Sequence, residues 1–354
     1  MIAATVLWPQ AMQRDEILLC CPGGLTSGDV VVELGRSHDR CCLHASCEDR
    51  ISSAWDARRA INPKLYNGTK FRLAGFDFRG AEDGSSPKVH VLLGLTDYRD
   101  YLGTNLAGHW QELLALDTSS PRRAGHGGRV VTLNGSARSA VSTPPDLSST
   151  SGAVQECDAR TGSCLAHPCA NAVVLETSDG HVIYLQRSAA VGECPLMNVL
   201  PGGHAEPAVL GIETQEQWQA LAELPSSEGV AAVLWDAALL EVVEETGVPR
   251  EDLSPPLFIG AARRVENHRP VLGFVVSTPL SAAQVLQNYR DGHVQDRFES
   301  TSLHSKVSQR QRTFAHTRAP FICKPQTHRV SRTEPGASSR HFGCTHAHDG
   351  LTEL

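Results

Sequence analysis

The sequence contains no apolar run of the roughly eighteen residues that a membrane helix needs, which argues against a spanning segment of that kind. Met1 to Arg14 lacks a basic flank followed by a long apolar stretch. No secretory signal is therefore expected, and the chain reads as intracellular, cytoplasmic with the nucleus left open. No Cys-x-x-Cys occurs among its 11 cysteines, whose count is odd and which include the adjacent pairs Cys20-Cys21 and Cys41-Cys42. Neighbouring thiols of that sort suit no compact disulfide framework, so reduced cysteines are expected. Cys41, Cys42, His44 and Cys47 lack a second ligand pair at a familiar spacing, and a zinc site is not read from them. An excess of positive charge is also missing. The formal net charge is −7, which argues against nucleic acid as the main partner. At 354 residues the chain can bury a sizeable core in one large domain or two ordinary ones.

What is present is concentrated in Leu240-Glu241-Val242-Val243-Glu244-Glu245-Thr246-Gly247-Val248. Glu241, Glu244 and Glu245 stand at i, i+3 and i+4, within one arc of a helix, while Leu239, Val242 and Val243 fall on the other side. Gly247 is the expected left-handed stop, and Pro249 forbids continuation. The segment is read as a short helix with one acidic face. Carboxylates packed this closely repel one another, and a hard divalent cation with oxygen ligands relieves them. A solvated acidic helix end is the competing reading. Upstream, Leu200-Pro201-Gly202-Gly203-His204-Ala205-Glu206 offers a tight glycine loop and a fourth carboxylate, Glu206, and loop and helix together read as one site.

On these residues the chain resembles the Nudix hydrolases, whose signature joins a glycine loop to a helix reading Arg-Glu-apolar-x-Glu-Glu-x-Gly-apolar. Glu241 to Val248 matches throughout. Leu240 replaces the arginine, Val209 stands where a first glutamate would fall, and the distance from Gly203 to the helix is expanded by a loop-out around residues 210–232. Those departures resemble the divergent branch that hydrolyses UDP-glucose and UDP-galactose. Cys21-Pro22-Gly23-Gly24, Ser37-His38-Asp39-Arg40, Lys70-Phe71-Arg72-Leu73 and the run from Leu93 to Asn105 agree with that branch. The resemblance implies an α/β fold, a Nudix-type α/β/α sandwich with a mixed sheet, preceded by a smaller α+β N-terminal region.

Along the chain, 1–116 is expected to be that N-terminal region, contributing to nucleotide recognition. Ile17 to Cys20, Val30 to Leu34, Lys70 to Leu73 and Lys88 to Leu93 read as strands and Ser53 to Ala60 as a helix. Asp97-Tyr98-Arg99-Asp100-Tyr101 reads as a polar, aromatic loop at a strand's end. Tyr98 can stack on a base and Arg99 can grip phosphate; a capped turn carrying one ion pair is the equal alternative. Residues 117–168 turn to Ser, Thr, Gly, Arg and Pro and are expected to be a disordered insert. The Nudix domain is placed at 169–292, opening with a hairpin turning at Ser178-Asp179-Gly180. Strands are expected at Leu257 to Ala261 and Val271 to Val276, and a helix from Ser281 to Tyr289. The basic, His-, Ser- and Arg-rich stretch 293–354 shows no sustained period and is expected to be a disordered tail, with the family's closing segment missing.

The resemblance implies a Mg²⁺-dependent pyrophosphatase releasing UMP and a hexose 1-phosphate from a UDP-sugar. Glu241 and Glu245 are its expected metal ligands, with Glu244 a further ligand or a base acting on water. Tyr66, Tyr98, Arg99, Arg187, His204 and Glu206 are the expected substrate contacts. Two other readings remain open at this point: the same scaffold acting on another nucleoside diphosphate derivative, and an inactive or binding-only protein whose altered C-terminus fails to close the fold.

Overall fold

The computed structural model describes residues 16–41, 45–79, 88–116, 131–132, 162–189, 195–292 and 300–308. Two sheets form within it. The larger contains β1 (Glu16–Leu25), β5 (Val131–Thr132), β6 (Ala170–Glu176), β7 (His181–Arg187), β8 (Asn198–Val199), β9 (Leu257–Arg263), β10 (Pro270–Ser277) and β11 (Ser300–Val307). Its order is β11-β7-β6-β10-β9-β1-β5, with β8 beside β7. The sheet is mixed: β6 runs parallel to β10, while β9 pairs antiparallel with both β10 and β1. The smaller sheet has β4 (Lys88–Asp97) between β2 (Val30–Leu34) and β3 (Thr69–Arg79).

The helices are α1 (Ala45–Ile61), α2 (Tyr98–Gly103), α3 (Trp110–Leu116), α4 (Gln215–Ala220), α5 (Ser227–Thr246) and α6 (Ala282–Asp291). Among the described residues none is long and apolar enough to cross a membrane. α5 packs on β6 of the large sheet and on β2 of the small one. One core runs through both, from Val32, Phe71 and Leu93 through Leu234 and Trp235 to Val173 and Phe274. Burial of this contiguous apolar surface is the main force holding the sheets and α5 together. The ring of Trp235 meets Phe274 edge-on at 5.2 Å, and its indole N–H donates to the Pro256 carbonyl. β6 is buried on both faces, because Ala170, Ala172 and Val174 pack with Leu200 and Val271 on the side away from α5.

Several expectations change. The glutamate helix is 20 residues long, N-capped by Ser226, whose side chain accepts from the Gly229 N–H. The expected loop-out therefore holds the first turns of α5 as well as α4, itself opened by a capping box between Thr214 and Gln217. The smaller α+β region exists as β2, β4 and β3 with α1 and α2, but its core is shared, and β1 belongs to the large sheet. Asp97 to Tyr101 is not a loop: Asp97 caps α2 by accepting from the Asp100 N–H at 2.8 Å.

Residues 162–168, read as part of a disordered insert, are buried, with Leu165 and Ala166 wholly so. The buried guanidinium of Arg72 draws them in, donating to the carbonyls of Ser163 at 3.0 Å, Leu165 at 3.1 Å and His38 at 2.8 Å. β11 likewise lies inside the stretch read as a tail. It pairs with β7 from Ser300 opposite Arg187 to Val307 opposite His181. Only Ser300 and Leu303 are buried in this edge strand, so backbone pairing rather than apolar alternation places it. The rest of the expected insert, apart from Val131–Thr132, and everything beyond 308 lie outside the described residues, as do Cys42 and His44.

Candidate functional site

The last two turns of α5 carry Glu241, Glu244 and Glu245, and Gly247 ends the helix at φ 72°, its N–H donating to the Val243 carbonyl. No basic side chain occupies the last turn. Carboxylates here face the negative end of the helix dipole, an unfavourable placement that a nearby cation would offset. Glu245 is buried, and Val242, about one turn earlier on the adjoining face, is fully enclosed by the core.

The glycine loop sits directly on this end of the helix. It runs antiparallel beside the start of β6: Asn171 N–H donates to the Gly203 carbonyl and Val173 N–H to that of Pro201, both at 2.8 Å. The Gly202 N–H donates to Glu245 Oε2 at 2.8 Å. At Gly203 an added Cβ would collide with Glu241 Oε1, so only glycine lets backbone and carboxylate meet there. Loop and helix are thus in direct contact, the juxtaposition that the sequence reading expects. Among the described residues no three Asp, Glu, His or Cys side chains are gathered into a ready-made metal cluster.

From Gly203 the chain passes to His204, which bridges Ala170 and is half-buried. Arg269, itself buried, donates to its Nε2 at 3.4 Å. Burial, then the charges of Arg269, Lys70 and Arg264, hold the imidazole well below its usual pKa. His204 is therefore neutral near pH 7. Two residues on, Glu206 is exposed and accepts from Lys70 Nζ at 3.3 Å.

Beside Glu206 opens a cavity of about 310 Å³ lined by Tyr66, Tyr98, Lys70 and Glu206, with Gly68 and Glu213. A second, of about 380 Å³, shares Leu65, Tyr66 and Thr69 with it and adds Trp55, Asn67, Asp97 and Gln215. Tyr66 is 68% exposed, a free ring at the mouth of both. Tyr98 is more enclosed, edge-on to Trp55 at 6.3 Å and to Tyr101 at 6.4 Å.

Three of the expected substrate residues, Tyr66, Tyr98 and Glu206, are brought together, and His204 adjoins them through the loop. Arg99 is not: its guanidinium donates to Asp100 Oδ1 at 3.0 Å and Ser52 Oγ at 2.7 Å, which is the capped turn with one ion pair. Arg187 ends β7 beside β8 and β11 and lines neither cavity. Two cations escaped the sequence reading. Lys70 follows a loop and begins a strand, where a lysine carries no distinguishing pattern. Arg269 lies in the β9–β10 turn behind His268, whose φ of 59° and 5.4 Å stack on Trp110 have no signature in sequence.

No family model matches the chain. It is 35% identical over 298 residues to Nudix hydrolase 9 of Arabidopsis thaliana, covering 82% of each chain. It is 31% identical over 279 residues to the human uridine diphosphate glucose pyrophosphatase NUDT22, covering 78% of each. The mouse protein of the same name is 29% identical over 284 residues, covering 78% of this chain and 76% of its own. Similarity of this extent, together with a glycine loop seated on a Glu-x-x-Glu-Glu helix, shows that the chain belongs to the Nudix hydrolases.

Proposed function

We propose that the protein hydrolyses the pyrophosphate bond of UDP-glucose or UDP-galactose, releasing UMP and a hexose 1-phosphate, in a Mg²⁺-dependent reaction. The observation that carries the reading is the continuity of the glycine loop. Gly202 and Gly203 rest on Glu245 and Glu241, and three residues later Glu206 lines a cavity walled by Tyr66 and Tyr98. One short segment thus joins the glutamate-bearing end of α5 to an aromatic cavity, the two features that a nucleotide pyrophosphate needs. The names of the mammalian relatives support the substrate class.

The donor set suits a hard divalent ion: it is all carboxylate oxygen, and it crowds the helix end where negative charge is least favoured. Glu241 and Glu245, one turn apart, would hold Mg²⁺, with Glu244 beside them. When bound, the ion neutralises the phosphates and acidifies water. The protein's own work is positional. Tyr66, and behind it Tyr98, offer ring faces and edges for the base, and the glycine loop lets the pyrophosphate approach the helix without a side chain intervening. Glu244 would be a further ligand or would take the proton of the attacking water. The binding-only alternative rests on a missing closing segment; within that stretch β11 pairs antiparallel with β7, which favours the hydrolase reading.

The test is UMP release from UDP-glucose by the purified protein with Mg²⁺, with and without EDTA, alongside a panel of other nucleoside diphosphate derivatives. Metal-dependent release of UMP supports the reading. Turnover of a different panel member but not UDP-sugars would move the substrate, and no turnover at all would leave a binding protein.

A further inference from the structure

Among the described residues, Lys70 is the single cation lining the smaller cavity, which also presents Tyr66, Tyr98, Glu206 and Glu213. An anion entering between the two rings meets two carboxylates and one ammonium. Lys70 is held inward: its side chain is 20% exposed, against 62% for its partner Glu206, and the 3.3 Å contact between them is loose for an ion pair. Its position at the start of β3, with Thr96 of β4 opposite, fixes the stem on sheet rather than on loop. That partner, Glu206, lies three residues after Gly203, the glycine that faces Glu241. The ammonium therefore stands between the aromatic cavity and the loop that rests on the carboxylate helix.

From that placement we propose that Lys70 is the phosphate-binding residue of the nucleotide, gripping the phosphate attached to the ribose, with Glu206 holding the ammonium in position until the phosphate replaces it. This rests on the proposed nucleotide pyrophosphatase reading and adds to it the residue that recognises the nucleotide's first phosphate. A base in the cavity and a pyrophosphate reaching the glycine loop must pass a phosphate through the interval that Lys70 occupies. A lysine suits this role as a point charge on a flexible stem, able to leave a carboxylate for a phosphate without a fixed fork geometry.

The test compares ligands that differ only in the phosphate. Uridine and UMP are titrated calorimetrically, in EDTA, into the wild-type protein and into Lys70→Met and Lys70→Arg. The wild type should bind UMP about tenfold or more tighter than uridine, as a charge-assisted contact in a partly enclosed site requires. Lys70→Met should lose that preference while its affinity for uridine stays within about twofold, and Lys70→Arg should keep most of it. A structural role for Lys70 would instead weaken uridine and UMP together. The inference is overturned by a Lys70→Met protein that still prefers UMP, by parallel loss of both ligands, or by a wild type that makes no distinction. Turnover of UDP-glucose is scored separately, so a protein that hydrolyses it yet fails these titrations leaves the function standing without this residue, and one that passes them without turnover does the reverse.

Discussion

The two halves of the candidate site are built in opposite ways. The carboxylate half is backbone on side chain: a loop hydrogen-bonded to β6 presses glycines against Glu241 and Glu245 of α5. The aromatic half is side chain on side chain, drawn from the loop before β3, from β3 itself, from the start of α2 and from the segment after the glycine loop. A site of the first kind tolerates almost no change in shape, and one of the second kind can exchange rings. The expected division follows: the carboxylate half carries the rate and the aromatic half the affinity.

The largest effect should come from Glu241→Gln and Glu245→Gln, which keep shape and remove charge. Turnover should fall by about a hundredfold or more with the circular dichroism spectrum unchanged, since the amide introduced by Glu245→Gln retains an oxygen for the Gly202 N–H. A variant retaining wild-type kcat would break the division at its centre. Gly203→Ala comes next. Its Cβ would displace the Glu241 carboxylate, so kcat should drop by about tenfold or more while uridine affinity is preserved. Loss of uridine binding in that variant would show that the halves are not separable.

Tyr66→Ala sharpens the other side. The ring is exposed and supports no core, so its removal should raise KM about tenfold with a smaller effect on kcat, because stacking is present in ground and transition states alike. Tyr98→Ala should raise KM similarly but also lower Tm, since Tyr98 packs on Trp55 and Tyr101. A collapse of kcat at unchanged KM in Tyr66→Ala would assign the ring to chemistry.

A smaller, pH-linked effect belongs to the turn behind His204. Burial, and then the charge of Arg263, push His268 down to about 3. A folded-state pKa below the unfolded value means that the unfolded chain takes up the proton first. This residue's contribution is therefore intact above about pH 6.5 and is lost as pH falls toward 3. His268→Asn keeps a side chain that tolerates the left-handed backbone and should remove on the order of 1 kcal/mol of the destabilisation expected between pH 7 and 5. Urea midpoints at the two pH values measure it, and an unchanged difference would place the acid sensitivity elsewhere. The smallest effect is expected from Arg99→Ala. With its guanidinium committed to Asp100 and Ser52, KM should move by less than about threefold, and a larger rise would restore it to the substrate.

The contrast also explains what the sequence reveals. Three glutamates at i, i+3 and i+4 before Gly247, and a Pro-Gly-Gly loop upstream, are local patterns, and the structure joins them as that spacing implied. The strands around Ser178-Asp179-Gly180 and the helix capped by Ser281 are local too. Tyr98-Arg99 shows the limit. Pattern alone gives a ring and a cation side by side, but α2 turns the cation toward α1, leaving the ring at the cavity. Lys70 meets the segment after the glycine loop through contact with a residue 136 positions away. Residues 162–168 are held by carbonyls accepting from a buried arginine, and β11 by backbone pairing at a sheet edge. Neither interaction leaves an apolar period to read.

The central claim, that chemistry and nucleoside binding lie in separate halves, is tested most directly with the doubly substituted Glu241→Gln, Glu245→Gln protein. Uridine is titrated into it and into the wild type, and both are assayed for UMP release from UDP-glucose with Mg²⁺. The account predicts uridine affinities within about twofold of one another and turnover reduced by at least about a hundredfold. Turnover that survives, or uridine binding that disappears from a protein still folded, would contradict it.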